Sequence, residues 1–299
     1  MTHVHILLAA YNGAAYLQDQ LESYLQQNHQ DWSLWVSDDG SHDATRKILK
    51  QFQQTHPDRN IQVIPGPKQG LFANFMHLLR HPALPAGYVA LSDQDDVWLP
   101  HHLENAVQQL QGIENKAFYC ATTVLTDAQL QPLRPVPPPL PATSFHNAMV
   151  QNVVAGNTIV LNPQALQLIR NDPPPPSTLP YHDWWLYLRL TAAGADLICD
   201  PNPSLLYRQH GGNSLGNNKT GRLRRLRTLF NGTYGRWVSS NLMALMALPP
   251  HTLLPEYRQA AETLLHRHPR YQALRQSRAR RSDTAGQLLL PILALIKRI

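Results

Sequence analysis

Through the first half of the chain, short apolar runs alternate with segments whose apolar positions recur every three or four residues. Residues 5–9, 32–37, 61–64 and 88–92 read as strands. Leu17, Leu21, Tyr24 and Leu25, then Ile48, Leu49 and Phe52, then residues 71–79 read as helices between them. Asp43 is a candidate N-cap for the second helix. This alternation predicts an α/β fold of βαβ units around a mixed, mainly parallel central sheet. Each strand ends in a turn, so Ala10-Tyr11-Asn12-Gly13, Asp38-Asp39-Gly40-Ser41 and Ser92-Asp93-Gln94-Asp95-Asp96 share the carboxyl edge of the sheet. Ligands bind at that edge in open α/β sheets.

Further along, residues 101–111 and 182–193 read as helices, and 118–123, 156–161, 197–199 and 205–209 as strands, with Pro163 starting a short helix. The proline-dense residues 132–141 predict an extended loop over the sheet, and 173–176 a polyproline II stretch. From about Gly216 the pattern changes to helices with arginine-rich faces, dividing the chain into 1–215 and 216–299.

A 43% hydrophobic content over 299 residues is enough for a substantial core and excludes a disordered chain. Cys120 and Cys199 lack metal-ligand spacing, which fits a reducing compartment better than a disulfide scaffold. The opening apolar run is too short for a signal peptide, and no stretch reaches the roughly 20 apolar residues of a membrane span. A cytoplasmic location is expected. The net charge of +6 gathers in residues 222–227 and 275–281. Leu223, Leu226, Leu229 and Phe230 share one helical face among those arginines, and the apolar tail at 288–296 ends in Lys297-Arg298. Both segments suit a peripheral anionic membrane surface, here the inner face of the cell membrane. Packing on the rest of the chain or an oligomer contact is the competing reading. No nucleic-acid partner is expected, because no aromatic residues interleave the arginines.

Asp93, Asp95 and Asp96 crowd three carboxylates into four residues after a buried strand. One aspartate would cap the next helix. Three repel one another unless a cation neutralises them, and oxygen ligands of this kind suit Mg²⁺ or Mn²⁺ bound to a pyrophosphate. Asp38 and Asp39 suit a base or ribose contact, although alone they read as a turn. Asp183, between His182 and Trp184-Trp185, suits a partly desolvated general base beside a sugar, or a helix-dipole partner. His210, beside Gly211-Gly212, is a candidate metal or phosphate contact.

In this order the segments resemble glycosyltransferase family two, and Ser92-Asp93-Gln94-Asp95-Asp96-Val97-Trp98 resembles the wording of bacterial rhamnosyltransferases of surface polysaccharide assembly. The resemblance covers about residues 3–215. It implies a GT-A fold, inversion at the anomeric carbon, a nucleotide-diphosphate sugar donor and a saccharide acceptor that is commonly lipid-linked. It implies Asp93, Asp95 and His210 at the metal, with Asp93 also on the donor, and Tyr11, Asp38, Asp39 and Lys68 on the nucleotide. Asp183 would be the base, and Trp98, His182, Trp184 and Trp185 the sugar or acceptor pocket. Pro67 and Gln69 depart from the family wording around Lys68, as His182 does beside Asp183. The wording favours dTDP-rhamnose, with UDP-hexoses open. A nucleotidyltransferase should carry a glycine-rich loop after the first strand, and Ala10-Tyr11-Asn12-Gly13 is not one. A non-catalytic binding module has no use for Asp183.

Overall fold

The computed structural model of the protein describes residues 2–135, 143–211, 227–296 and 299. They form two compact units. The first comprises Met1–Pro138, Val154–Ser177 and Asp196–Arg208, and the second Pro139–Val153, Thr178–Ala195 and Gln209–Ile299.

The first unit is built on one mixed sheet. Its strands are β1 (Val4–Ala10), β2 (Trp32–Asp38), β3 (Ile61–Pro65), β4 (Tyr88–Ser92), β5 (Val97–Trp98), β6 (Ala117–Thr126), β7 (Pro132–Pro135), β8 (Val160–Leu161) and β9 (Asp196–Arg208). Their order is β3-β2-β1-β4-β8-β6-β9-β5, with β7 paired to β6. The long ladders, β1 with β2 and β4, β2 with β3, and β6 with β9, are parallel. The antiparallel ones span two or three residue pairs. Parallel strands covered on both faces read as continuous apolar runs, and β1 and β2 are buried throughout. Val4, Ile6 and Leu8 of β1 and Trp32, Leu34 and Val36 of β2 join Leu17, Leu21, Tyr24, Leu49 and Phe52 of the connecting helices in one core. Each aliphatic side chain buried there stabilises the unit by about 1.5–3 kcal/mol.

The helix Leu71–Leu79 and strand Tyr88–Ser92 fall where the periodicity puts them. Three details differ. Pro132–Pro135 is not loop but strand β7, tolerated because it pairs on one side only, with β6; residues 136–142 lie outside the described residues. Residues 197–199 and 205–208 belong to one strand, which ends before Gln209 and whose register against β6 shifts near Pro201 and Pro203. Asp43 sits two residues before the helix Thr45–Thr55, and its carboxylate accepts the Thr45 N–H at 3.0 Å.

The chain leaves β1 towards β2 and β3, then returns to place β4 on the other side of β1. This reversal makes the carboxyl ends of β1 and β4 the topological switch point.

The second unit is helical: Phe145–Ala148, His182–Ala192, Thr233–Met246, Pro255–His266, Arg270–Ser277 and Thr284–Leu295. The Tyr187 hydroxyl ties the second helix to the first, accepting from the Ser144 N–H at 2.8 Å and lying 3.0 Å from Asn147 Oδ1. Phe145 stacks on Tyr257 at 4.6 Å, and Asp283 caps the last helix through the Gly286 N–H. That helix exposes Leu288, Ile292 and Leu295, with Ile296 just beyond its end. Residues 222–226 of the arginine cluster, and Lys297 and Arg298, lie outside the described residues. Among the described residues no helix is long and apolar enough to cross a membrane.

Candidate active site

At the switch point the turn after β1 is wired to both neighbouring loops. Asn12 takes a left-handed backbone (φ 48°), which asparagine tolerates better than most residues. Its N–H donates to Ser41 Oγ at 2.9 Å, and its side-chain oxygen accepts the His42 N–H at 2.8 Å. The Gly13 N–H donates to Thr45 Oγ1 at 2.8 Å. On the other side, Gln94 Oε1 accepts the Tyr11 N–H and Gln94 Nε2 donates to the Tyr11 carbonyl, both at 2.9 Å. The Tyr11 ring is left 53% exposed.

The loops after β2 and β3 close around the two aspartates. Asp38 accepts the Ser41 N–H at 3.1 Å and pairs with Arg46. Burial works to raise its pKa, and the hydrogen bonds from Ser41 and Arg46 overcome it, leaving the carboxyl below its ordinary value. Asp39 accepts the Lys68 N–H at 2.6 Å and the Gly70 N–H at 2.8 Å, one on each oxygen. These bonds hold Lys68 and Gly70 at φ 58° and 89°. The Lys68 side chain runs over Gly40, with Cγ and Cε 3.4 Å from where a Cβ would stand. Tyr11, Asp38, Asp39 and Lys68 therefore come together along one edge of this unit.

The acidic loop is held from beneath. Ser92 Oγ takes hydrogen bonds with Gln20 Nε2 at 3.0 Å and the Tyr24 hydroxyl at 2.6 Å, and donates to the Asp93 carbonyl at 3.0 Å. Asp96 is fully buried and accepts from the Asn157 side-chain amide and from the Arg208 N–H at 3.1 Å. Burial first, then the charges of Asp95 and Asp93, push its carboxyl well above the usual range. Asp96 is thus a structural residue, while Asp93 and Asp95 stay half-buried on the loop.

Arg208 is the residue that sequence reasoning missed. It is buried, with Nε donating to the Asp95 carbonyl at 2.9 Å, Nη1 to Ala128 O at 2.6 Å and Nη2 to Asp19 at 2.7 Å, while its guanidinium lies 4.6 Å from the Tyr16 ring. The guanidinium therefore anchors the acidic loop through its main chain, while its ion pair is with Asp19. Among the described residues no three His, Cys, Asp or Glu side chains converge as a metal cage. Diphosphate-bound Mg²⁺ or Mn²⁺ is typically held by one or two carboxylates, which Asp93 and Asp95 can supply.

In the second unit Asp183 occupies the first turn of its helix, and its carboxylate accepts the Trp184 N–H at 2.7 Å. Trp184 and Trp185 are 4% and 2% exposed. Trp184 Nε1 donates to the Ala148 carbonyl at 2.7 Å, and its ring stacks with Tyr234. His182 is buried and its pKa is pushed down to about 3 by that burial, so it is neutral. His210 is half-buried at the start of the second unit's long final segment. In the first unit Trp98 is 1% exposed, packed against Tyr24 at 4.9 Å and His102 at 4.3 Å. Trp98, Trp184, Trp185 and His182, expected at the sugar or acceptor pocket, are thus all buried side chains.

Residues 5–148 match the family described as Glycosyl transferase family 2. That segment is a glycosyltransferase family 2 domain. The protein is accordingly an enzyme of the glycosyl-transfer class. A dTDP-rhamnosyl transferase, RfbG of Shigella flexneri, is 29% identical over 218 residues, covering 71% of this chain and 74% of the relative. The putative glycosyltransferase EpsE of Bacillus subtilis is 32% identical over 108 residues, 36% of this chain and 38% of its own. Among solved structures, TarS 1-349 of S. aureus in complex with UDP aligns over 100% of this chain and 88% of that one, with TM-score 0.60 and 15% identity. The mannosyltransferase PcManGT of Pyrobaculum calidifontis, in complex with GDP-Man and Mn²⁺, aligns over 99% and 86%, with TM-score 0.55 and 16% identity. These glycosyltransferase family 2 features sit on a GT-A fold.

Proposed function

We propose that the protein transfers a sugar, L-rhamnose from dTDP-rhamnose, onto a saccharide acceptor in cell-surface polysaccharide assembly, with inversion at the anomeric carbon. The observation that carries this reading is the convergence of Tyr11, Asp38, Asp39, Lys68 and the Asp93–Asp95 loop on the switch-point edge of one sheet. The choice of sugar is supported by the named activity of the Shigella relative. Tyr11, Asp38 and Asp39 contact the nucleoside, with Lys68 beside them, and Asp93 and Asp95 face the diphosphate. Mg²⁺ or Mn²⁺ held by Asp93 and Asp95, with His210 as a further ligand, would neutralise charge on the leaving diphosphate. Asp183 accepts the proton of the acceptor hydroxyl. That oxygen then attacks the anomeric carbon from the face opposite the departing diphosphate, in one displacement.

Residues 1–215 form the catalytic part of this reading. Residues 216–299 bring it to an anionic membrane surface and a lipid-linked acceptor. The exposed Leu288, Ile292 and Leu295 of the last helix, with Ile296 just after it, support that role, since apolar stripes of this kind beside cationic residues settle into lipid interfaces.

A thermal-shift panel of dTDP, UDP and GDP and their sugars, with and without Mn²⁺, tests the donor assignment. Stabilisation rises with ligand concentration over its dissociation constant, so dTDP and dTDP-rhamnose should give the largest shifts, and only with Mn²⁺. Larger shifts with UDP-hexoses would replace the donor, and no shift with any nucleotide would overturn the reading.

A further inference from the structure

We propose that Gln94 is a positioning residue of the donor site, joining the turn after β1 and the acidic loop after β4 into one hydrogen-bonded body. The proposal rests on the nucleotide-sugar reading above. The ladder between β1 and β4 ends at Leu8 and Ser92. Beyond it the side-chain amide of Gln94 takes over, accepting the Tyr11 N–H and donating to the Tyr11 carbonyl at 2.9 Å each. A primary amide placed this way presents the donor and acceptor of a neighbouring strand's peptide group. It extends the sheet by one pair where the main chain has turned away. Gly13 completes the fit. A Cβ there would stand 2.2 Å from Gln94 Oε1 and 2.4 Å from Cδ, so the turn needs glycine to admit this side chain.

Gln94 lies between Asp93 and Asp95, and its partner Tyr11 carries the exposed ring at the same edge. The group facing the base and the groups facing the diphosphate therefore share one frame. A nucleoside diphosphate meets both ends already aligned, which spares the ordering cost on binding. A purely structural role would lower stability alone. The positioning role appears in nucleotide affinity and in the exchange of the Tyr11 amide.

The experiment compares the wild type with Gln94→Met, Gln94→Ala, Gly13→Ala and the Gly13→Ala/Gln94→Ala double variant. Titration calorimetry with dTDP, UDP and GDP in the presence of Mn²⁺ gives Kd. Gln94→Met, which keeps length but not the two hydrogen bonds, should raise Kd for the bound nucleotide about tenfold. The donor KM should follow, with kcat changing about twofold or less and little change in melting temperature. Gly13→Ala should weaken binding in the wild-type background and add nothing once Gln94 is alanine, because the atoms it collides with are gone. Equal nucleotide affinity in Gln94→Met and wild type, or additive losses in the double variant, overturns the proposal. If the wild type binds no nucleotide, the functional reading fails. Hydrogen exchange of the Tyr11 amide then decides whether Gln94 holds the turn: about tenfold faster exchange in Gln94→Met is expected, and unchanged exchange refutes it.

Discussion

His102 should make the protein acid-sensitive, by an amount the structure sets. The side chain is fully buried against Trp98, and neither ring nitrogen has a hydrogen-bond partner. Burial, with a smaller push from His101 and an opposing pull from Asp200, lowers its pKa from 6.5 to about 3. The native ring is therefore neutral, while the unfolded ring takes up a proton as pH falls below 6.5. Protons favour the unfolded chain throughout that window, so stability declines from about pH 6.5 down to about pH 3 and is unaffected above it. At 1.36 kcal/mol per pKa unit, the contribution lost by pH 5 is about 2 kcal/mol. The perturbation is His102→Met, which keeps an apolar side chain against Trp98 and removes the titration. Relief of an unpaired buried polar group, about 1–3 kcal/mol, should offset the imperfect packing at pH 7. Urea unfolding followed by tryptophan fluorescence at pH 7 and pH 5 measures both proteins. His5 and His182, whose pKa values are also lowered, to about 4 and about 3, contribute equally to each and cancel in the comparison. The wild type should lose about 2 kcal/mol more than the variant between the two pH values. Equal losses would refute the reasoning.

Three further outcomes follow from the site. Asp183→Asn should leave the Kd for the donor nucleotide nearly unchanged while lowering transfer by about 100-fold or more, as loss of a general base does; full activity in a coupled transfer assay would remove Asp183 from the mechanism. Arg208→Met should lower stability by about 1–3 kcal/mol, since it leaves the Asp95 and Ala128 carbonyls without a donor while the half-exposed Asp19 turns to water. Arg208→Lys should recover only part of that, because an ammonium lacks the planar fork, and differential scanning calorimetry reads both. Leu288→Glu/Ile292→Glu should abolish co-sedimentation with anionic vesicles at unchanged melting temperature, whereas retained binding would place the membrane contact elsewhere.

The sheet's parallel half was legible because β1, β2 and β4 are buried almost throughout and mainly apolar, with His5 and Ser33 the polar interruptions near the starts of β1 and β2, and each is closed by a turn. The prolines of residues 132–135 and of Pro201 and Pro203 misled, since a proline-bearing segment pairs when its neighbour lies on one side only or the register shifts around it. The acidic motif was legible as chemistry but not as architecture. Nothing in its spacing reveals that Asp96 turns inward to Asn157 and Arg208, or that Gln94 reaches back to Tyr11, because those partners lie 61 to 112 positions away. Nor does the sequence show that Trp184 and Trp185 are buried, because an indole beside a carboxylate has one identity in sequence whether it faces a sugar or a core.

The bonds from Arg208 to Asp95 and Asp96 close over 113 and 112 positions, and this fixes when the site can exist. Chains leave the ribosome N-terminus first at about 5–20 residues per second, and pairings so distant in sequence form late. For that interval Asp96 lacks the Arg208 N–H and the Asp95 carbonyl lacks the guanidinium that anchors the loop. A fragment ending where the family match ends, at residue 148, would carry Tyr11, Asp38, Asp39, Lys68 and the Asp93–Asp95 loop yet lack Asn157, β9 and Arg208. The stretch that identifies the enzyme is synthesised early and completed only after the last strand arrives.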